Sequence, residues 1–290
     1  MILIKYLSLS DTPFKNIAIG IAFSPTLEPN ISEAARLTCM MGAKLSLIHV
    51  GKASADKIQR IDTFIGNCGQ QQLSYEVIFK EGDPVEVILE TVKERNIDLL
   101  LLGALKKEKF VKFYLGSIAR KITRKAICSV LLITNPRVER KSCKNMVVSG
   151  LKGAHTKRTI ETAFFVAHRL GCNQLTIVEE IERQKVSIKV DDDQSLRKAN
   201  LLQEKLKRQE ETRVRKILSH IPEEHKKDIH IETQAIFGQR GYSIGHYAEI
   251  VHADLLVMNA PQKSSFLHRF FPHDLEHILN ELPTDVLIIR

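Results

Sequence analysis

The chain has 290 residues, 43% of them hydrophobic, and a formal net charge of +9. No apolar run approaches the roughly 18 to 20 residues that a membrane-spanning helix needs, and the first ten residues are too short for a signal peptide, so we expect a cytoplasmic protein without membrane contact. The five cysteines are scattered and form no C-x-x-C pair, which argues against a zinc ribbon or a secreted disulfide framework. We expect these thiols to be reduced and mostly buried.

Short apolar runs alternate with helical patterns in the first half of the chain. Strands are predicted at residues 17–23, 44–50, 74–79, 98–102 and 130–133. Because these runs are largely apolar, the sheet that they form should be covered on both faces.

Three helices are predicted between these strands. Asn30 and Glu33 form a capping box, so the first helix should cover residues 30–41. The second should begin at Asp83, because Pro84 then takes the first helical position. The third covers residues 117–125 and precedes the last strand. Parallel strands joined by right-handed helical crossovers give a doubly wound sheet.

The second half of the chain repeats the first. Residues 254–290 match residues 98–134 at a constant offset of 156, whereas the openings of the two halves match at an offset of 129. About 27 residues were therefore inserted in the second half, and they form a charged helical pattern over residues 194–218. This helix either covers its own domain or docks a partner protein. We expect two domains, at residues 1–140 and 141–290.

The order and wording of these motifs resemble the universal stress protein family. The resemblance is carried by FSP at 23–25, LIHV at 47–50, EGDPVEVIL at 81–89 and the run over 98–133. It implies two tandem doubly wound five-stranded parallel sheets with helices on both faces, a Rossmann-like or flavodoxin-like fold. It also implies that the halves pack as an intramolecular pseudo-dimer, while exposed sheet edges could equally pair two chains in a homodimer.

Many members of that family bind ATP through a loop written G-x2-G-x9-G-[ST]. Glycines let backbone N–H groups approach phosphate oxygens, and the start of a helix favours an anion. Here Lys106 stands where the second glycine belongs, and Ala22 stands where ATP-binding members carry an acid after the first strand. The predicted site for ATP or another phosphorylated ligand consists of Gly103, Lys106, Gly116, Ser117, Ala22 and Ser24.

The two halves of the sequence differ in the charge of this loop region. Eight basic residues lie between Gly103 and Lys125 against the single Glu108. They either attract a phosphorylated ligand or form a solvated lysine-rich loop. The corresponding positions of the second half hold Leu151, Asn259, Gln262, Pro272 and His273. Since proline has no N–H to offer, we predict that the second half binds no ATP in the family manner and is structural or partner-binding.

These features favour a non-enzymatic stress-response protein of tandem type. The sequence lacks G-x4-G-K-[ST] and H-E-x-x-H motifs, and no base can be assigned to Ser117, so we predict no catalytic residue. The alternative is an enzyme that hydrolyses nucleotides or transfers adenylyl groups with the first-half loop. A nucleic-acid partner is not favoured, because the aromatic residues near the basic loop are as easily core contacts. No metal is predicted, since His273 and His277 lack a defined third ligand.

Overall fold

A computed structural model describes residues 12–69, 72–106, 113–139, 141–183, 189, 191–239, 241–260 and 273–290. The chain divides into two compact units. The first holds the chain up to Leu101 together with Pro136–Glu139, and the second holds Leu102–Asn135 together with the chain from residue 140 onward. The predicted division at residues 140 and 141 concerns the duplicated halves of the sequence and stays a prediction.

The first unit contains an open parallel sheet. Its elements are β1 (Asn16–Ile21), α1 (Leu27–Met41), β2 (Lys44–Val50), α2 (Ala55–Asn67), β3 (Tyr75–Lys80), α3 (Pro84–Glu94) and β4 (Leu99–Gly103), whose last two residues belong to the second unit. The strands lie in the order β4–β1–β2–β3 and are all parallel. Ile17 and Ile19 of β1 are fully buried. Because the strand order reverses at β1, its carboxyl end is where such sheets bind ligands.

The N-termini of α1 and α3 test two of the predicted helix caps. Asp83 caps α3 as predicted, since its carboxylate accepts hydrogen bonds from two first-turn N–H groups at 2.9 and 3.1 Å. The prediction that α1 begins at Asn30 is wrong, because the helix already begins at Leu27 and the Asn30 N–H donates to the Thr26 carbonyl at 3.1 Å. Pro29 is tolerated in this first turn because the N–H that it lacks would have no helical acceptor.

In the second unit, too, helices alternate with mostly parallel strands. Its elements are β5 (Leu105–Lys106), β6 (Phe113–Tyr114), α4 (Ser117–Lys125), β7 (Ser129–Ile133), β8 (Asn145–Ser149), α5 (Thr156–Leu170), β9 (Gln174–Glu182), α6 (Asp193–Leu218), α7 (Glu223–Lys226), β10 (His230–Gly238), α8 (Tyr242–Ile250), β11 (Leu255–Asn259), α9 (His273–Asn280) and β12 (Asp285–Ile289). The main sheet has the order β10–β9–β8–β11–β12–β7. None of the helices in the described ranges is long and apolar enough to span a bilayer.

The last strands of the two halves pair with each other. β7 and β12 run antiparallel, with Val286 opposite Leu132 and Ile288 opposite Val130, whereas the other neighbours in this sheet are parallel. Asp285 also accepts hydrogen bonds from the backbone N–H and the hydroxyl of Thr134 at 2.8 and 2.7 Å. The sheet edges that were expected to pair within or between chains therefore pair within this one.

A repeated aspartate explains part of the sequence duplication. Asp98 accepts hydrogen bonds from the N–H groups of Lys15 and Asn16, both at 2.9 Å, at the start of β1. Asp254 accepts the same pair of bonds at the start of β8, at 2.9 and 3.1 Å. In each half one carboxylate thus ties the start of the first strand to the segment that leads into the fourth.

Candidate functional site

The six predicted ligand-binding residues are divided between the two compact units. Ala22 and Ser24 follow β1 in the first unit, and both are exposed. The chain turns sharply here, since the Ser24 N–H donates to the Ala22 carbonyl at 2.8 Å. The Ser24 and Thr26 hydroxyl oxygens lie 3.0 Å apart at the start of α1. Two hydroxyl groups therefore face solvent at the carboxyl end of the central strand.

Phe23 lies between Ala22 and Ser24, and basic side chains pack around its ring. The His49 ring meets it edge to face at a centroid distance of 4.9 Å. Lys57 Nζ and Arg60 Cζ each lie 5.4 Å from the centroid of the Phe23 ring. A cation this close to an aromatic ring is attracted by the negative charge of the ring face. We call Phe23, His49, Lys57 and Arg60 the Phe23 cluster.

Hydrogen bonds fix the imidazole of the Phe23 cluster. His49 Nδ1 lies 3.2 Å from the Ile21 carbonyl, so this nitrogen carries the proton and donates it. Nε2 is then left to accept from Lys57 Nζ at 3.2 Å, and Lys57 also donates to the Lys52 carbonyl at 2.8 Å. Gly51 permits this arrangement, because a Cβ there would lie 3.1 Å from His49 Nε2 and its φ is +145°.

Sequence reasoning missed Lys57 and Arg60, because α2 was not among the predicted helices. Ser54 caps α2 by accepting from the Lys57 N–H at 3.3 Å, so the two basic residues lie one turn apart near its start. A serine followed by basic residues at this spacing, just after a predicted strand, could have signalled the pair. The arrangement offers two cations, an aromatic ring and exposed hydroxyls to an anionic ligand.

The other four predicted residues belong to a loop in the second unit. Gly103 ends β4, and Lys106 lies exposed in β5, which pairs with β6 as a short antiparallel hairpin. The segment is thus folded on itself next to Lys106. Residues 107–112, which include three of the eight predicted basic residues, lie outside the described residues.

Gly116 and Ser117 begin α4, as predicted. Gly116 has an ordinary φ of −61°, so its backbone conformation does not require glycine. The space that a side chain at position 116 would need is taken by Leu105, because its Cδ1 would lie 3.0 Å from a Cβ added there. Ser117 is exposed. The N-terminus of α4 therefore opens to solvent beside an apolar side chain.

Two arginines of the predicted basic field are bound to α9. Arg120 donates to the carbonyl of Leu279 at 3.2 Å and to the side-chain oxygen of Asn280 at 2.6 Å. Arg124 donates to the Glu276 carboxylate through Nε at 2.8 Å. These contacts join α4 to α9, so both guanidinium groups stabilise the fold and offer less charge to a ligand than the sequence suggested.

The corresponding site of the second half is filled by its own polar groups. The Asn259 amide lies 3.5 Å from the Thr156 hydroxyl, which donates to the Leu151 carbonyl at 2.5 Å. The inserted helix α6 also reaches this edge, because Arg213 donates to the carbonyl of Gly150. Gln262, Pro272 and the side chain of His273 lie outside the described residues.

A buried carboxylate lies beside this arginine. Glu179 in β9 is 2% exposed, and neither of its oxygens accepts a hydrogen bond from a described group. Arg213 Nη2 is 3.6 Å away, which is too far for a hydrogen bond. Burial raises the pKa of Glu179 to about 7; Arg213 opposes this rise and the carboxylates of Glu210 and Glu211 add to it.

The metal prediction rests on residues that are only partly described. Over the described residues, no group of three or more His, Cys, Asp and Glu side chains is placed to hold a metal ion. His268 and the side chains of His273 and Asp274 lie outside those residues. The absence of a metal site stays a prediction.

Comparisons with known proteins agree with this fold. Residues 67–134 match the model of the universal stress protein family. A universal stress protein from Methanocaldococcus jannaschii is 32% identical over 59 residues, which cover 20% of this chain and 35% of that protein. One from Methanothermobacter thermautotrophicus is 30% identical over 61 residues, which cover 21% of this chain and 41% of that protein. The match thus spans well under two thirds of either relative.

The whole chain is similar in fold to a solved structure. The crystal structure of a universal stress protein from Archaeoglobus fulgidus superimposes with a TM-score of 0.61, covering 97% of this chain and 99% of that chain at 17% sequence identity. At this identity the likeness concerns the fold alone. It agrees with the predicted α/β architecture, in which a mostly parallel sheet is flanked by helices.

Proposed function

We propose that this chain, whose residues 67–134 match the model of the universal stress protein family, is a non-enzymatic, cytoplasmic stress-response protein of tandem type. In this proposal the first half binds ATP or another phosphorylated ligand, and the second half is structural or partner-binding. The observation that carries it is the Phe23 cluster at the carboxyl end of β1.

The Phe23 cluster suits a phosphorylated ligand for electrostatic and geometric reasons. Lys57 and Arg60 place two positive charges on the same aromatic ring, where each lies 5.4 Å from the centroid. Arg60 is exposed, so its guanidinium can turn from the ring to a phosphate with two parallel hydrogen bonds. The hydroxyls of Ser24 and Thr26 add donors on the neighbouring turn.

The loop residues Gly103, Lys106, Gly116 and Ser117 stay part of this proposal as a second set of donors. The exposed N-terminus of α4 and the ammonium group of Lys106 favour an anion. Any ligand that used this helix start would meet Leu105 beside Gly116. We therefore assign phosphate recognition chiefly to Lys57 and Arg60, which the loop motif does not include.

In this proposal the second half binds no nucleotide. Asn259 stands at the position of Gly103, and Arg213 of α6 bonds the strand end at Gly150. The inserted helix thus covers its own domain at this point. Leu201 on α6 is 70% exposed, which leaves a separate surface for a protein partner.

Titration of the full-length protein with ATP tests this function. Isothermal titration calorimetry should give saturable binding, and replacing both Lys57 and Arg60 with alanine should weaken it roughly tenfold or more, because each removes a charge-assisted contact. Lys44→Ala is the matched control, since this exposed lysine starts β2 at the opposite edge of the sheet. Inorganic phosphate release over the same period should stay at the background rate.

Each outcome is decisive. Absence of binding for ATP, ADP and pyrophosphate would refute a phosphorylated ligand. If the double variant bound ATP as tightly as the wild type, the binding site would lie outside the Phe23 cluster. Steady release of inorganic phosphate would favour the hydrolytic alternative.

A further inference from the structure

Two cysteines of the second unit lie side by side at the amino edge of its sheet. Cys143 and Cys172 each stand two residues before a strand, and the register of β8 and β9 pairs Asn145 with Gln174 directly. Neighbouring strands lie about 4.8 Å apart, which falls within the Cα separations that a disulfide can bridge. The two side chains are close enough to affect each other, since each thiol shifts the pKa of the other.

The backbone around this pair is held in place. The Lys144 carbonyl accepts from the N–H groups of Asn173 and Gln174 at 3.3 and 3.0 Å, so the strand ladder continues to the two cysteines. The Cys172 thiol donates to the carbonyl oxygens of Lys144 and Gln174, both at 3.1 Å. Joining the sulfurs therefore needs rotation of side chains and little movement of the chain.

The two thiols differ in exposure and in pKa. Cys172 is 4% exposed, whereas Cys143 is half-buried and reaches solvent. The hydrogen bond from Cys143 lowers the pKa of Cys172. The hydrogen bond to Cys172, burial and the carboxylates of Asp254 and Asp285 hold the pKa of Cys143 well above its usual range.

We propose that Cys143 and Cys172 are an oxidisable pair that hydrogen peroxide converts into an intramolecular disulfide. One thiol of the pair, as the thiolate, attacks one peroxide oxygen and the O–O bond breaks, which gives a sulfenic acid and hydroxide. The sulfur of the other cysteine then attacks the sulfenic sulfur, the S–O bond breaks, and the leaving hydroxide takes the proton of that second thiol. Two thiols lose two electrons and two protons, and peroxide becomes two waters.

The other described cysteines lack this arrangement. Cys39 on α1 and Cys68 at the end of α2 influence each other through space, but the Cys68 thiol hydrogen-bonds the Ser32 hydroxyl at 3.5 Å and the Phe64 carbonyl at 3.1 Å. Among the residues that the structure describes, Cys143 and Cys172 are the two cysteines that lie at matching positions before paired strands.

Peptide mapping of the full-length protein tests the proposal. The reduced protein is treated with hydrogen peroxide, free thiols are alkylated, and a tryptic digest is analysed without reduction. We expect residues 142–144 linked to residues 170–183, two hydrogen atoms lighter than the sum of the separate peptides, with the link lost on adding dithiothreitol. Cys39→Ser should keep this link, and Cys143→Ser should abolish it.

Thermal unfolding supplies a second measurement that does not depend on digestion. The disulfide closes a loop of 30 residues, so oxidation should raise the unfolding midpoint of the second unit by about 10 °C, and Cys143→Ser, at the half-buried position, should remove this rise. Complete alkylation of both cysteines after peroxide treatment would overturn the proposal. So would oxidation that ends at a sulfinic acid, or a Cys39 to Cys68 link in its place.

Discussion

Glu179 should make the protein less stable as the pH rises through neutrality. Its carboxylate is 2% exposed, lacks hydrogen bonds from described groups, and has Arg213 at 3.6 Å as its nearest cation. Burial raises its pKa from an ordinary 4.5 to about 7. The folded state therefore holds this proton more tightly than the unfolded state. The resulting stability is fully present below pH 4.5 and is lost as the pH rises towards and through 7.

The size of the effect follows from the two pKa values. At 1.36 kcal/mol for each pH unit, the interval from 4.5 to about 7 corresponds to about 3 kcal/mol. Glu179→Gln keeps the shape of the side chain but removes the titration. Relative to wild type, this variant should gain about 3 kcal/mol in free energy of unfolding between pH 4.5 and pH 8.

Urea unfolding followed by circular dichroism at intervals between pH 4.5 and pH 8 measures this difference. Glu204→Gln is the control, because it removes the same charge from an exposed position on α6. Titration of the side-chain carboxyl carbons by NMR should show one glutamate that ionises near neutral pH and disappears in Glu179→Gln. Parallel stability curves for wild type and Glu179→Gln would refute the reasoning, and so would a gain in wild-type stability over the same range.

Two further predictions concern local contacts. Asp83→Ala should lower the free energy of unfolding by about 1 kcal/mol, because it removes both hydrogen bonds at the start of α3, whereas Asp83→Asn should retain most of the stability. A double-mutant cycle on Arg124 and Glu276, measured by urea unfolding, should give a coupling of about 0.5 to 1 kcal/mol that shrinks in 1 M salt, since both side chains are partly exposed. A salt-independent coupling, or one near zero, would mean that this pair does not help to join α4 to α9.

The functional site was less accessible to sequence reasoning than the fold. The motif led to Gly116 and Ser117, which begin α4 as predicted, but it did not reveal that Leu105 would lie against Gly116. It also passed over Lys57 and Arg60, because their meeting at Phe23 depends on how α2 packs after β2. Side chains from different elements come together through tertiary packing, so their spacing along the chain does not predict that they will meet.

Local interactions explain what the sequence alone determined. The apolar runs gave the strands within one or two residues, and Asp83 with Pro84 gave the start of α3, because such signals act over a few neighbouring residues. The repeat pointed to Asp98 and Asp254, which make the same two backbone hydrogen bonds in each half.

Only the tertiary structure decided which distant groups meet. It paired β7 with β12 in antiparallel register, buried Glu179 without hydrogen-bond partners, and set Cys143 against Cys172 at the start of two neighbouring strands. Each of these contacts joins residues far apart in the chain or depends on burial by other elements. Strand register and burial are settled when the whole sheet forms, so no short stretch of sequence encodes them.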